Sequence, residues 1–426
     1  MNEFIQNYFQ KFSNVDEFSL KNNMKYFESL YAKFLDAKEL ELIIHEPETG
    51  IHSNVIPLPI LDKSKYPHIQ EYDELKTEDG PLNMYNLVLC KMHAGLGSSV
   101  KRKDLLFKTC GRKNLGSKGT DLFIEIDGEK KSLAELQLFQ TKLISESKIF
   151  NKVILQNLVN EETVDEVGKL KNHLVTHDIL QMKMPTILEG ELTSDRVAPA
   201  GHAFLGFSLL TSIFTNENIE NDLIVIGNGE DLNSTPDNKI LSWVVEKEIP
   251  LTMITTTKLE KDKKGGQISV VTGDVDYVTI IEKAQAEKAN QLSYFEQLGL
   301  RKKDQKSLFN TNIVVINARA LKDKLNKLDI GQDQFSQIIS PDLIKNNKTQ
   351  NGKTYTQLEG AIGSTMLNLD KYFRLNLGES ILSFLNLDPV TREKFFIPIK
   401  MIEDFHELVE KYEYNTKTGR FDLKEN

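Results

Sequence analysis

Cysteine is nearly absent from this chain, which holds only Cys90 and Cys110 in 426 residues. Two thiols are too few for a disulfide framework or a cysteine-based metal centre, and a reducing cytoplasm fits that usage. Positive charge is also in short supply. Lys and Arg number 53 against 62 Asp and Glu, which leaves a net charge of −9 and an isoelectric point near 5.6. That balance argues against a broad surface for nucleic acid or anionic membrane, but it still allows a local basic pocket for a nucleotide. Long apolar runs are missing as well. The longest, 203–214, is too short to span a bilayer, and the start at Met1 lacks the basic region and apolar core of an export signal. The expectation is a cytoplasmic protein with neither export nor membrane insertion.

What is present is ordinary globular material. A content of 39% hydrophobic and 27% charged residues is enough for one large α/β core with one or two appendages. Phe4, Ile5, Tyr8, Phe9 and Phe12, then Tyr26, Phe27, Leu30 and Phe34, recur at helical spacing and predict two amphipathic helices with core-facing stripes. Pro57, Pro59 and Pro67 mark an extended connection. Beyond residue 86, strand-like runs at 122–126, 153–155, 223–226, 251–255, 278–281, 313–316 and 395–399 alternate with helical patterns at 131–146, 162–175, 238–246 and 355–369. This alternation predicts an α/β fold with a mostly parallel sheet covered by helices, which binds its ligand at the carboxyl ends of the strands. Gly273-Asp274, between Val270-Val271 and Tyr277-Val278, predicts an inserted hairpin. The polar stretch 413–426 reads as a loose tail. The expected division is a helical and extended segment at 1–80, a catalytic domain at 81–400, and a helix with tail at 401–426.

An apolar run ending at Cys90 and Met92 opens into His93-Ala-Gly-Leu-Gly-Ser-Ser99. Gly95 and Gly97 permit close backbone approach, and Ser98 and Ser99 add hydroxyl donors, so the loop can aim amide N–H groups at a phosphate or a flat base. Alone this is weak, since an ordinary strand-to-helix turn has the same composition. The spacing excludes two other nucleotide folds. Gly116-Ser-Lys118-Gly-Thr120 breaks the contiguous Gly-Lys-Ser/Thr of a P-loop, and the stretch 93–100 has no third glycine for a hydride-transferring dinucleotide fold.

Further polar clusters follow other strand-like runs, and together they carry a resemblance. Lys91-Met-His-Ala-Gly-Leu-Gly-Ser-Ser99, Gln181-Met-Lys-Met-Pro185, Pro199-Ala-Gly-His202, Lys264-Gly-Gly266, Phe309-Asn-Thr-Asn312, Gln357-Leu-Glu359 and Pro398-Ile-Lys400 occur in that order. From about residue 87 to 404, the chain resembles the eukaryotic-type UDP-glucose pyrophosphorylases, the UTP:glucose-1-phosphate uridylyltransferases. Their corresponding segments read Lys-Leu-Asn-Gly-Gly-Leu-Gly-Thr-Ser, Gln-Ser-Arg-Tyr-Pro, Pro-Pro-Gly-His, Lys-Gly-Gly, Phe-Asn-Thr-Asn, Gln-Leu-Glu and Pro-Val-Lys. The resemblance implies a Rossmann-like, mixed but mostly parallel sheet of the nucleotide-sugar transferase (GT-A-like) type, with an N-terminal helical segment. It also implies UTP and a sugar-1-phosphate as partners, UDP-glucose and pyrophosphate as products, and Mg²⁺ as cofactor. No protein partner is indicated.

The resemblance assigns roles residue by residue. Lys400 is the principal cation near the sugar phosphate and α-phosphate, with Lys118 on the pyrophosphate side. Ala94, Gly95, Gly97 and Ser98 approach the nucleotide, Gln181 faces the uracil edge, and Gly201, His202 and Asn228 complete the nucleotide contacts. Asn310, Asn312 and Glu282 are candidates for the sugar hydroxyls. The family's Asn-x-Asp-Asn-Leu reads Asn228-Gly-Glu-Asp-Leu232 here, so Glu230 and Asp231 are both candidates to hold Mg²⁺.

Departures from the family pattern are equally specific. His93 replaces an asparagine and Ala94 a glycine, and Asp121 stands where the family has a second phosphate-contacting lysine, leaving Lys118, Lys113 and Lys103 as candidate substitutes. Phe204 replaces the aspartate of Gly-His-Gly-Asp. The chain stops soon after Lys400, so the expectation is that the C-terminal β-helix of many members is absent. Glu230 and Asp231 could instead cap the following helix, His202 could be a core histidine, and Gln357 and Glu359 could be structural residues on a helix bearing Leu358, Ala361, Ile362 and Met366. A uridylyltransferase for another sugar and a catalytically silent UDP-sugar sensor or scaffold are the alternatives.

Overall fold

The computed structural model describes residues 3–12, 14–35, 55–57, 69–76, 80–95, 117–170, 172–175, 178–216, 219, 221–259, 262, 265–271, 273–281 and 308–424. Gly97, Ser98, Lys103, Lys113, Lys264 and Glu282 lie outside the described residues.

Among the described residues, an eleven-stranded sheet organises the chain. Its spine runs Ile69–Glu71, Leu382–Leu387, Leu251–Thr257, Leu308–Asn317, Asp222–Asn228, Asn86–Met92, Lys152–Val159 and Ile179–Leu180. Every neighbouring pair on that path is parallel except those made by Leu308–Asn317, which is antiparallel to both its neighbours. The strands are near-continuous apolar runs because both faces are covered. Along Asn86–Met92, Val88 and Cys90 face one core while Leu87 and Leu89 face the other, and Ile224 and Ile226 against Leu223 and Val225 repeat the alternation.

The longest apolar run forms the helix Ala203–Thr215, buried on nearly all sides. It lies between the sheet and the N-terminal helices Glu3–Phe9 and Glu17–Leu35, where Tyr26 meets Phe204 and Phe207 edge-to-face at 5.4 and 5.3 Å. Apolar character all round is what such a sandwiched helix needs. Among the described residues no helix is long and apolar enough to cross a membrane. The hairpin at Gly273-Asp274 is present, pairing Gln267–Val271 with Tyr277–Ile281.

Several sequence expectations need correction. The run 395–399 is no strand. Arg392–Phe395 is a short helix followed by irregular chain, and the sheet strand of this region is Leu382–Leu387, parallel to Leu251–Thr257. Lys400 therefore does not end a strand. The pattern at 355–369 divides at Gly360 into the strand Lys353–Glu359, paired with Ile344–Gln350, and the helix Ile362–Leu377, so Gln357 and Glu359 are strand residues. The pattern at 162–175 contracts to the helix Val164–Gly168. Phe123–Ile126 leaves the main sheet to pair with Glu129–Ser132 across Asp127-Gly128, both at positive φ, as a tight Asp-Gly hairpin turn requires.

The supposed loose tail is a hairpin of Tyr412–Asn415 and Arg420–Leu423. Phe421 is buried in a satellite core with Leu122, Leu133, Leu232 and Ile399, and Asn233 pins its backbone on both sides, accepting from its N–H at 2.9 Å and donating to its carbonyl at 2.8 Å. Polar composition hid one apolar anchor and a side-chain clamp.

Candidate active site

The register of the parallel strands brings their carboxyl ends level. Met92 stands beside Leu158 on one side and Asn228 on the other, and Val159 stands beside Leu180. Above these ends opens a cavity of about 270 Å³ whose wall includes Ala94, Gly95, Lys118, Gln181, Gly201, His202, Asn228 and Glu230. Residues from five separate chain segments thus meet around one space, as the convergence of strand ends implies.

Each wall is held by hydrogen bonds that its sequence supplies. The Ala94 carbonyl accepts from the Asn160 side-chain amide at 2.5 Å, while the oxygen of that amide takes the N–H groups of Glu162 and Thr163 at 2.7 and 3.0 Å. Gln181 donates through Nε2 to the Gly201 carbonyl at 2.5 Å, and its own N–H reaches the Val159 carbonyl at 2.8 Å. Gly201 has φ +82°, and a side chain there would overlap the carbonyl oxygen of Gly360. The close approach is needed because Gly360 donates to the Ala200 carbonyl and accepts from the Ala203 N–H, both at 3.1 Å.

His202 Nδ1 accepts the N–H of Ile362 at 3.1 Å, so its remaining proton in the neutral ring sits on Nε2. Burial pushes its pKa down to about 4, with Glu230 opposing that shift and Lys400 adding to it.

The cations come from two directions. Lys118 starts the short helix Lys118–Asp121, capped by Ser117, and its Nζ donates to the Ile399 carbonyl at 2.6 Å and to Glu230 at 3.3 Å. Lys400 lines an adjoining cavity of about 300 Å³ with Asp262, Phe309 and Arg392. Its Nζ lies 5.4 Å from the centre of the Phe309 ring, and its backbone N–H is held by Asp404 at 2.7 Å. The Lys118–Ile399 bond ties the segment that carries Lys400 to the wall of the first cavity, which Lys400 itself does not line.

Other sequence candidates lie elsewhere. Asp231 is fully buried, with one carboxylate oxygen on the Asn233 N–H at 3.0 Å and the other on the Ile397 N–H at 3.2 Å, so it faces the core and not the cavity. Burial pushes its carboxyl pKa up and that of the neighbouring buried Lys91, whose Nζ donates to Ser234 at 2.9 Å, down. Asn310 and Asn312 pair with each other, Nδ2 to Oδ1 at 2.8 Å and N–H to Oδ1 at 3.1 Å, and line neither cavity. Asp121 and Phe204 are both buried, so the two departures at these positions are absorbed by packing.

Some contributors were not assigned from sequence. Asn160 belongs to Asn-x-x-Thr163, a local turn whose tertiary contact has no sequence signal. Gln137, which donates to the Gly229 carbonyl beside Glu230 at 2.8 Å, sits on a helix face that otherwise reads as core, where a buried amide is itself the signal. Arg392, clamped bidentately to Asp262 at 2.8 and 3.0 Å, lies in a segment misread as leading into a strand.

Comparison with known proteins gives the family and the fold. A family model described as UTP–glucose-1-phosphate uridylyltransferase matches residues 158–426. The protein of that name from Encephalitozoon cuniculi (strain GB-M1) is 27% identical over 378 residues, covering 85% of this chain and 66% of the relative. That from Saccharomyces cerevisiae is 25% identical over 332 residues, covering 72% and 60%. The chain thus spans just under two thirds, or less, of the length of these relatives. Among solved structures, the open and closed forms of the UDP-glucose pyrophosphorylase from Leishmania major share the fold over 100% of this chain and 82% of that one, with a TM-score of 0.68 at 18% identity. A Trypanosoma brucei structure covers 95% and 82%, with a TM-score of 0.61 at 18% identity.

Proposed function

The chain belongs to the UTP–glucose-1-phosphate uridylyltransferase family, and from that premise we propose that it forms UDP-glucose and pyrophosphate from UTP and glucose-1-phosphate in the cavity above the parallel strands. The observation that carries the reading is the meeting of Ala94, Gly95, Lys118, Gln181, Gly201, His202, Asn228 and Glu230 around one space. A phosphate oxygen of the sugar phosphate attacks the α-phosphorus of UTP; the new O–P bond forms as the bridge to the β-phosphorus breaks, and pyrophosphate leaves in line. Both reactants are anions, so the protein's task is alignment and charge compensation, with no side-chain nucleophile.

In this reading Gln181, its amide held by Gly201, reads the uracil edge, and Ala94 and Gly95 bring backbone against the base. Neutral His202 offers its Nε2 proton to a phosphate or ribose oxygen. Lys118 and Lys400 approach the phosphates from adjoining walls and compensate the charge that moves onto the leaving pyrophosphate.

Among the described residues no three His, Cys, Asp or Glu side chains converge as a metal cage. One carboxylate on the cavity wall suits Mg²⁺, which is held by one or two carboxylates together with substrate phosphates and water. Glu230 is the residue that would hold it, and the ion when bound would neutralise phosphate charge. Asp231, its oxygens already taken, drops out of that role. Cytoplasmic operation goes with this reading.

One observation favours a second reading, a UDP-sugar binder without turnover. Asp121, at the position of the family's second phosphate-contacting lysine, is buried and lines neither cavity. Pyrophosphate release from UTP and Mg²⁺ with a panel of sugar-1-phosphates separates the two. Turnover with glucose-1-phosphate that falls by ~10²-fold or more in Lys400→Ala and Lys118→Ala supports the enzyme reading. Silence across the panel with retained UDP-glucose binding supports the binder.

A further inference from the structure

We propose that His93 is a positioning residue for the phosphate end of the cavity, setting the short helix that carries Lys118 against the turn that carries Glu230; the inference rests on the uridylyltransferase reading for its chemical meaning. His93 is fully enclosed, 1% exposed, at the point where three segments meet. Its Nδ1 lies 2.9 Å from the Ser117 hydroxyl and its Nε2 lies 3.0 Å from Gln137 Oε1. Gln137 in turn donates Nε2–H to the Gly229 carbonyl at 2.8 Å.

The direction of the whole chain of bonds follows from its end. A carbonyl only accepts, so the Gln137 amide must turn its nitrogen to Gly229 and its oxygen to His93. The imidazole therefore carries its proton on Nε2 and accepts the Ser117 O–H at Nδ1. Ser117 caps the helix whose first residue is Lys118, and Gly229 immediately precedes Glu230. A rigid five-membered ring with a bond at each nitrogen thus fixes the spacing between a cation and a carboxylate that themselves pair at 3.3 Å.

Two glycines make room for the ring. A side chain on Gly119 would overlap both the ring and the Gly229 carbonyl, and one on Gly229 would run into the Met92 carbonyl and His93 Nδ1. The uracil end is anchored separately, through Gln181 to the carbonyls of Gly201 and Val159 and through Asn160 to the Ala94 carbonyl, none of which the His93 ring touches. The His93 side chain should therefore act on the grip on phosphates far more than on the base contact. An asparagine here, the residue of the resembling family, extends about as far as Nδ1 and could keep the Ser117 bond but not reach Gln137. A glutamine reaches about as far as Nε2 and keeps the opposite bond.

The test uses the full chain. Hydrogen exchange of the ligand-free protein is measured for His93→Ala, His93→Asn and His93→Gln, together with calorimetric titration of UTP and of UMP. The expected result is faster exchange at 117–121 and 228–232 in His93→Ala, with 179–181 unchanged. His93→Asn should loosen mainly 228–232, and His93→Gln mainly 117–121. UTP binding should weaken roughly tenfold in His93→Ala while UMP stays within about twofold. Unchanged exchange in both segments, or equal weakening of UTP and UMP, overturns the proposal. If His93→Ala does not fold, the opposite patterns of the asparagine and glutamine variants decide. If the unaltered protein binds neither nucleotide, the uridylyltransferase reading fails, and the exchange pattern alone still decides whether His93 couples the two segments.

Discussion

Two histidines near the cavity are kept neutral by burial. His93 is sealed in the interior with burial as the main cause and the Lys91 charge adding to it, and its pKa falls to about 4 although the Gln137 hydrogen bond works the other way. His202 reaches a similar value while still touching the cavity wall. A neutral ring can accept at one nitrogen and donate at the other, which lets His93 link Ser117 and Gln137 and lets His202 accept from the Ile362 N–H.

The stability consequence has a definite sign. In the unfolded chain a histidine takes up its proton near pH 6.5, whereas folded His93 resists protonation to about pH 4. The contribution of His93 is therefore fully present above pH 6.5, is lost progressively as pH falls toward 4, and then levels off, with a total on the order of 3 kcal/mol. Thermal unfolding followed across that window should show a steeper acid loss for the unaltered protein than for His93→Gln; identical slopes would contradict a buried neutral imidazole. Other residue-scale readings divide along the same line. Gln181, Gly201 and His202 were assigned through the resemblance of their short motifs to the family's and do line the cavity, but whether a carboxylate points outward or inward is decided by backbone partners no motif records. That is why Glu230 reaches the cavity and its neighbour Asp231 does not.

At the scale of elements, the C-terminal hairpin has more influence on the site than its polar sequence indicates. Phe421 packs with Leu232, two residues beyond Glu230, while Asn233 grips the Phe421 backbone and Arg420 donates to the Thr235 carbonyl at 2.5 Å. The turn following Glu230 is thus held from outside by the last strands of the chain. Phe421→Ala should cost about 3–5 kcal/mol of local packing and speed amide exchange in 231–235 as well as in the hairpin. Exchange confined to the hairpin would show that the two are not coupled.

The sequence revealed this part poorly because one buried aromatic in a polar stretch has no periodicity to detect. Strand Leu382–Leu387 was missed for a related reason, since its apolar run follows directly on the amphipathic helix Ile362–Leu377 with only a brief break at Gly378. In contrast, the helix Asn238–Glu246 was read to the residue, because Asp237 caps it and its apolar stripe is regular.

For the whole molecule, the sheet determines where chemistry can occur. Parallel strands place their carboxyl ends on one edge, and the alternation of apolar runs with helical patterns was sufficient to predict that edge without any contact information. The strand Leu308–Asn317 in the middle of the sheet was read in part, as the run 313–316, but not its antiparallel direction, because strand direction depends on connections rather than on the composition of the run. Its Asn310 and Asn312 accordingly sit in a local pair and line neither cavity.

The central claim is that the cavity above Met92, Leu158 and Asn228 holds a uridine nucleotide, and a crystal structure of this protein with UDP-glucose bound tests it most directly. The account predicts the uracil against Gln181 and the Ala94-Gly95 backbone, with the diphosphate directed toward Lys118 and Lys400. Nucleotide bound at any other surface, with this cavity filled only by water, would contradict it.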